Sequence, residues 1–262
     1  LTHKSLHVSE LRVPLEALRG LTDTQRYFWY LLGQIYNETL CTRKLISFTT
    51  PSARADRRVF RREAEFSQVF FLFRMACSKV HEARVALHSS PISQVLRQDV
   101  FPTWRDGEAE FKELNRTLHD AKWLRAFRDS IGFHYPSMKQ LLPAITPNDQ
   151  WGDDLIYLAD GGGNMFFAGA DAISRAQMFE TVNAANGAPP MEELIEDMVA
   201  LVVTLNDFVG HCLGQFMIPR LVPKYEPKVL GKVLAPHLYD VVAPFWTHQD
   251  GTRSSKKKSN NR

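Results

Sequence analysis

The run Val69-Phe70-Phe71-Leu72-Phe73 constrains this chain more than any other stretch. It lies in a segment, about 57–87, where Phe60, Phe66, Val69, Phe70, Phe73, Cys77 and Val80 recur close to helical spacing with cations between them. A helix that is apolar nearly all round has to be covered on every side, so this one is expected at the centre of a helical assembly. The same rings could line an aromatic ligand box, but core packing accounts for them without one.

Other helical stretches surround it. Thr22 or Asp23 offers an N-cap to a helix running to about 45, with Phe28, Leu31, Leu32, Ile35, Leu40 and Cys41 on its apolar stripe. Pro51 and the small polar residues of 47–56 read as a loop. Short helical pieces are expected at 92–100 and 108–119. The next helix starts at Asp120 or Ala121 and carries Trp123, Leu124, Phe127, Arg128 and Ile131 towards Pro136, which should end or bend it. Residues 170–182 read as a further short helix. The last strong helix opens near Pro190, with Glu192, Glu193, Glu196 and Asp197 in its first turns, where acidic groups complement the helix dipole. The most apolar segment, 198–222, is interrupted by Asn206, Asp207 and His211 at the depth where a bilayer tolerates polarity least. It is expected to be a buried core helix, not a membrane span.

One stretch has a different texture. Leu155 to Ala159, then Asp160-Gly161-Gly162-Gly163-Asn164, then Met165 to Ala168 reads as strand, tight turn, strand, a small hairpin insertion at about 154–169. The glycines could cradle a phosphate, but no Gly-Lys-Ser/Thr follows them and no Rossmann spacing is present. Beyond the last helix, Val229, Leu230, Val233, Leu238, Val241 and Val242 are expected to dock on the bundle. The expected fold class is therefore mainly α: an up-and-down bundle of long helices, 22–46, 57–88, 120–135 and 190–218, with a small β-hairpin inserted, forming a single domain over 1–248. Residues 249–262 are expected to be a disordered basic tail.

Charge narrows the function classes. The net charge of +3 owes much to 253–262, which holds five cations and no anion, so the remainder is slightly negative. A globally basic nucleic-acid binder is not indicated; a local cationic groove stays open. Cys41, Cys77 and Cys212 have neither metal spacing nor a disulfide framework. Lying in apolar helical patterns, they are expected to be buried thiols in a reducing, cytoplasmic setting. Leu1-Thr2-His3-Lys4 shows no apolar run behind a basic start, so no secretory signal is expected.

Several chemistries find little support. His119-Asp120 lacks the further ligands of a metal phosphohydrolase and reads as the end of one helix and the cap of the next. His81-Glu82 lacks the second histidine of a zinc helix, and Glu63 and Glu65 have no Glu-x-x-His partner for a di-iron bundle. No Gly-x-Ser-x-Gly elbow occurs.

The segment Leu124-Arg125-Ala126-Phe127-Arg128-Asp129-Ser130-Ile131-Gly132-Phe133-His134-Tyr135 is different, because it holds Arg-Asp-x-x-x-x-His. Histidine transfers protons near neutral pH, and arginine stays charged and grips two phosphate oxygens at once. Those are the functions RNA cleavage needs when no metal takes part. Six residues on an ideal helix turn through about 240°, so Arg128 and His134 would not share a narrow face. Either the helix loosens at Gly132 or a second element completes the cleft. A buried His134 on the apolar stripe, beside a surface pair Arg128–Asp129, is the plainer reading of the same residues.

This motif and its apolar flanks resemble the HEPN superfamily (higher eukaryote and prokaryote nucleotide-binding), many of whose members are metal-independent ribonucleases. The resemblance covers about 22–135 and extends at most to the helix from Pro190. It implies catalytic roles for Arg128, Asp129 and His134, with Tyr135 and Arg125 contacting substrate. It further implies RNA as partner, a homodimer with two motifs facing each other, no cofactor, no metal and no membrane. A toxin or defence setting, with an antitoxin or other protein partner, belongs to the same expectation. A HEPN-like helical protein without catalysis, serving dimerisation, ligand binding or protein interaction, stays open beside it.

Overall fold

The computed structural model of the chain describes residues 3–49, 58–127, 137–148, 154–159, 164–186, 191–222 and 226–247. Three long helices, α2 (Asp23–Thr49), α3 (Val59–His88) and α9 (Met191–Arg220), pack against one another and hold the core. Before them in the chain stand β1 (His3–Glu10) and the one-turn helix α1 (Leu15–Arg19). Between α3 and α9 come α4 (Ser90–Val95), α5 (Gly107–Asp120), α6 (Lys122–Phe127), α7 (Met138–Asn148), β2 (Ile156–Leu158), β3 (Met165–Phe167) and α8 (Ala168–Asn186). The strand β4 (Lys228–Pro236) follows α9. The fold is mainly α, with a small β-hairpin, as the helical periodicity requires.

Each long helix buries a stripe. Phe28, Leu32 and Ile46 of α2, Phe73, Val80 and Leu87 of α3, and Leu205, Val209 and Phe216 of α9 are all but fully buried in one continuous core. Burial of such a side chain is worth roughly 1.5–3 kcal/mol, so these nine residues hold the three helices together. Phe28 and Phe216 meet with ring centroids 5.1 Å apart. The start of α2 is fixed by a capping box: Thr22 Oγ1 accepts from the Gln25 backbone N–H at 3.2 Å, while Gln25 Oε1 accepts from the Thr22 N–H at 3.1 Å. Within the bundle the Thr39 hydroxyl of α2 touches the buried Asn206 amide of α9. Helix α9 passes the length and composition test for a membrane span over Glu193–Arg220. Here its apolar stripe, Leu194, Met198, Leu201, Leu205, Cys212 and Phe216, is buried in the protein.

At one end of the bundle a π-helical turn, Leu96–Val100, follows α4. Arg220 donates to Asp99 O at 3.1 Å and to Asp99 Oδ1 at 2.6 Å, and Gln25 donates to Asp99 Oδ2 at 3.1 Å. That carboxylate thus ties the ends of α2 and α9 to the turn. Gly107 opens α5 beneath Trp104, where a Cβ would lie 2.8 Å from the indole Cε3. Only glycine lets the chain pass so close.

The structure corrects three expectations. Phe71 is 59% exposed, so α3 is covered on most sides but not all. Cys41 is exposed on α2, its neighbours Leu40 and Thr42 being half-buried, because the helix turns that position to solvent. The segment with Val229, Leu230 and Val233 does not dock on the bundle; as β4 it pairs antiparallel with β1, and those side chains stay exposed. The break expected between the helical piece at 108–119 and the helix after it falls at Ala121, between α5 and α6. Residues 128–136, the Gly161–Gly163 turn and the basic tail lie outside the described residues.

Candidate functional site

Helix α6 brings the chain to the Arg-Asp-x4-His segment, and its position follows from three residues. Trp123, Leu124 and Phe127 are buried, while Arg125 is exposed on the opposite side. Phe73 of α3 stacks on Trp123 at 5.9 Å and meets Phe127 edge to face at 5.2 Å. Trp123 and Phe127 meet edge to face at 6.2 Å, which closes a knot of three rings. Offset and edge-to-face pairs of this kind are worth about 0.5–1.5 kcal/mol each beyond the area they bury. Arg128 is the next residue after Phe127. On the far side of the motif, α7 packs on α8, and α8 also receives α6. The helices before and after the motif in sequence, α6 and α7, are thus held on the same neighbour. Arg128, Asp129, His134 and Tyr135 lie outside the described residues; of the five site residues expected from sequence, Arg125 alone has a described place, exposed on the face of α6 away from Phe73.

The structure also assembles a polar layer that sequence reasoning missed. Glu63 and Ser67, one turn apart on α3, face Asp171 and Arg175, one turn apart on α8. Arg175 Nε lies 2.8 Å from Asp171 Oδ2, with the two side chains 25% and 10% exposed, and its guanidinium lies over the Phe66 ring. Burial raises the Asp171 carboxyl above the ordinary aspartate range; the Ser67 hydrogen bond and Arg175 oppose this, and Glu63 adds to it. Tyr157 of β2 hydrogen-bonds Glu63, and burial together with that bond raises the phenol. Glu63 Oε2 is buried with no hydrogen-bond partner. The layer fastens the hairpin and α8 to α3, the helix that also carries Phe73. Its signal in the sequence was the Asp171/Arg175 spacing of four, a helical ion pair. Glu63 was weighed only as a metal ligand.

Next to this layer Phe60, Tyr157, Phe166, Phe245 and Trp246 form a second aromatic cluster around Ala64 and Ala168. Asn164 bonds the Thr247 backbone in both directions, at 2.6 and 3.3 Å, and so clips the chain after β4 to the hairpin. Gly169, in the first turn of α8, lies under the Asp154 carboxylate, where a Cβ would come within 1.8 Å.

Other histidines and the buried cysteines among the described residues have structural settings. His119 and Asp120 end α5, exposed, 3.6 Å apart. His88 bonds Asn115 at 2.7 Å, and His211 stands edge-on to Trp104, 3.5 Å from Glu110. Burial raises the thiols of Cys77 and Cys212 well above the ordinary range, which keeps them protonated and unreactive. Among the described residues no three His, Cys, Asp or Glu side chains are placed to hold a metal ion.

No family model, curated protein or solved structure matches this chain.

Proposed function

We propose that the chain is a HEPN-like, metal-independent endoribonuclease whose reacting groups are Arg128, Asp129 and His134. The observation that supports it best is the setting of α6: within a mainly α bundle, this helix is locked to α3 by Phe73, Trp123 and Phe127 and leads directly into the Arg-Asp-x4-His segment. A reacting group has to be held to within fractions of an ångström, and a rigid anchor immediately before it serves that end.

The chemistry assigned to the motif is transesterification. The 2′-hydroxyl of one nucleotide loses its proton and attacks the adjacent phosphorus, while the bond from phosphorus to the 5′-oxygen breaks and that oxygen takes a proton. The products are a 2′,3′-cyclic phosphate and a free 5′-hydroxyl, with no change in oxidation state. His134 handles the proton, Arg128 neutralises the equatorial oxygens of the phosphorane, and Asp129 orients one or both of them. Arg125, exposed one turn before the motif, steers the RNA backbone, and Tyr135 offers a ring for a base to stack on. A second copy would bring a second motif to the cleft and supply a second proton-handling group. The test is cleavage of mixed RNA by the purified protein in EDTA, compared with Arg128→Ala and His134→Ala.

A second reading, a helical interaction protein without catalysis, is favoured by one observation. The β1–β4 ribbon leaves Leu6, Val8, Val229, Leu230, Val233 and Leu234 exposed.

A further inference from the structure

The strands β1 and β4 form a two-stranded antiparallel ribbon that no other described strand joins. Every residue from His3 to Ser9 and from Lys228 to Leu234 is exposed. Two strands alone are marginal in water, and an open strand edge is a template for another strand. The two edges differ. β4 carries Lys228, Lys232 and a terminal Pro236, and Leu230 is bulged out of the ladder between Val8 and Ser9. All of these features discourage pairing. β1 has no proline and runs in register from His3 to Val8.

The pattern of β1 is complementary to itself. Lys4, Leu6, Val8 and Glu10 share one face, opposite Ala235, Val233, Gly231 and Lys228 of β4; His3, Ser5, His7 and Ser9 share the other. When β1 is laid antiparallel against a copy of itself, with His7 on the two-fold axis, Lys4 falls opposite Glu10, Leu6 opposite Val8 and Ser5 opposite Ser9. Two opposite-charge pairs then flank four apolar side chains, and Val233 of each ribbon extends the apolar strip. A slip of two residues one way sets Lys4 against Val8 and leaves Glu10 without its cation. The other way sets Lys4 against Arg12 and Leu6 against Glu10. A slip of one turns the apolar set to the opposite face. Only one register satisfies both charge and polarity, although Glu10 also pairs with Arg12 and stands opposite Lys228 of its own chain.

We infer that two copies of this chain associate edge to edge through β1, forming a four-stranded antiparallel sheet in the order β4-β1-β1-β4. This interface is argued from β1 and β4 alone and does not rest on the ribonuclease reading: one is read by mass, the other by RNA cleavage. Sedimentation velocity on the full chain tests it. The wild-type chain is expected to be a dimer at micromolar concentration. Lys4→Glu and Glu10→Lys each place like charges opposite one another and should weaken the dimer at least tenfold. The double exchange Lys4→Glu/Glu10→Lys should restore it, and an equimolar mixture of the two single variants should form the mixed dimer. A monomeric wild type, or a dimer that all these variants leave unchanged, would overturn the proposal. So would a dimer weakened by the single exchanges and not recovered by the double one. Lys4 is exposed and Glu10 is half-buried at the end of β1, and unchanged circular dichroism would show that the bundle is intact.

Discussion

Phe73 and Phe127 meet edge to face at 5.2 Å, neither ring reaching solvent, and the residue after Phe127 is the first of the Arg-Asp-x4-His segment. One core contact thus fixes the point from which the proposed reacting groups depart.

Phe127→Ala is therefore expected to destabilise the fold by about 3–5 kcal/mol, because it leaves a ring-sized cavity against Phe73 and Trp123. Phe127→Leu keeps much of the volume but loses both ring pairs, and should cost about 1–3 kcal/mol, less than the alanine variant. Urea unfolding of both variants measures this. A Phe127→Ala midpoint equal to that of the wild type would mean that α6 is not held by this contact.

Asp171 gives a pH dependence with a definite sign. Burial raises its folded-state value above the unfolded one of about 3.9, so the folded protein holds this proton more tightly. The stability associated with Asp171 is present below the unfolded value and is lost as pH rises through the raised one. Glu38 and Glu113 have lowered values from their hydrogen bonds to Gln34 and Arg116, and contribute with the opposite sign. Their contribution persists in Asp171→Asn and cancels in the comparison. The difference in urea midpoint, variant minus wild type, should thus grow more positive from pH 4 towards neutrality. A difference independent of pH would show that Asp171 titrates alike in the folded and unfolded chains.

The bundle was legible because α2, α3 and α9 announce themselves over many turns, and their cores depend on spacing along one helix. The ribbon was not. His3 pairs with Pro236 across nearly the whole chain, so neither strand has a local partner, and Val229 to Leu234 reads as an apolar stretch in search of a core. The polar layer was hidden for the same reason: Glu63 and Asp171 are adjacent only because α3 and α8 pack. Cys41 was misread because a residue between two half-buried neighbours can still point outward. The Arg128–His134 motif was visible only because it is contiguous in sequence.

The three thiols should differ sharply in reactivity. Cys41 is exposed, whereas Cys77 and Cys212 are buried and kept protonated. A thiol reagent added to the native protein is expected to modify one cysteine per chain, mapped to Cys41 by peptide mass, and all three after unfolding. Rapid native labelling of Cys77 or Cys212 would contradict the packing of α3 or α9.

The capping box at α2 predicts a modest effect. Thr22→Ala removes the side-chain acceptor for the Gln25 N–H and should cost about 1 kcal/mol, while Thr22→Ser should be nearly neutral. Thermal unfolding of the pair decides it; equal losses in both variants would place the effect elsewhere than in the cap.

The most direct measurement is single-turnover cleavage of a defined RNA in EDTA by the wild-type protein, Arg125→Ala, Arg128→Ala and His134→Ala. The wild type should release fragments ending in a 2′,3′-cyclic phosphate. Loss of a proton-transfer group or of the cation on the phosphorane typically lowers the rate by about 10²–10³-fold, and Arg128→Ala and His134→Ala should each fall by that much. Arg125→Ala should weaken RNA binding while leaving the bound rate nearly unchanged. Absence of cleavage by the wild type, or cleavage that survives in both Arg128→Ala and His134→Ala, would contradict the assignment of this motif as a ribonuclease site.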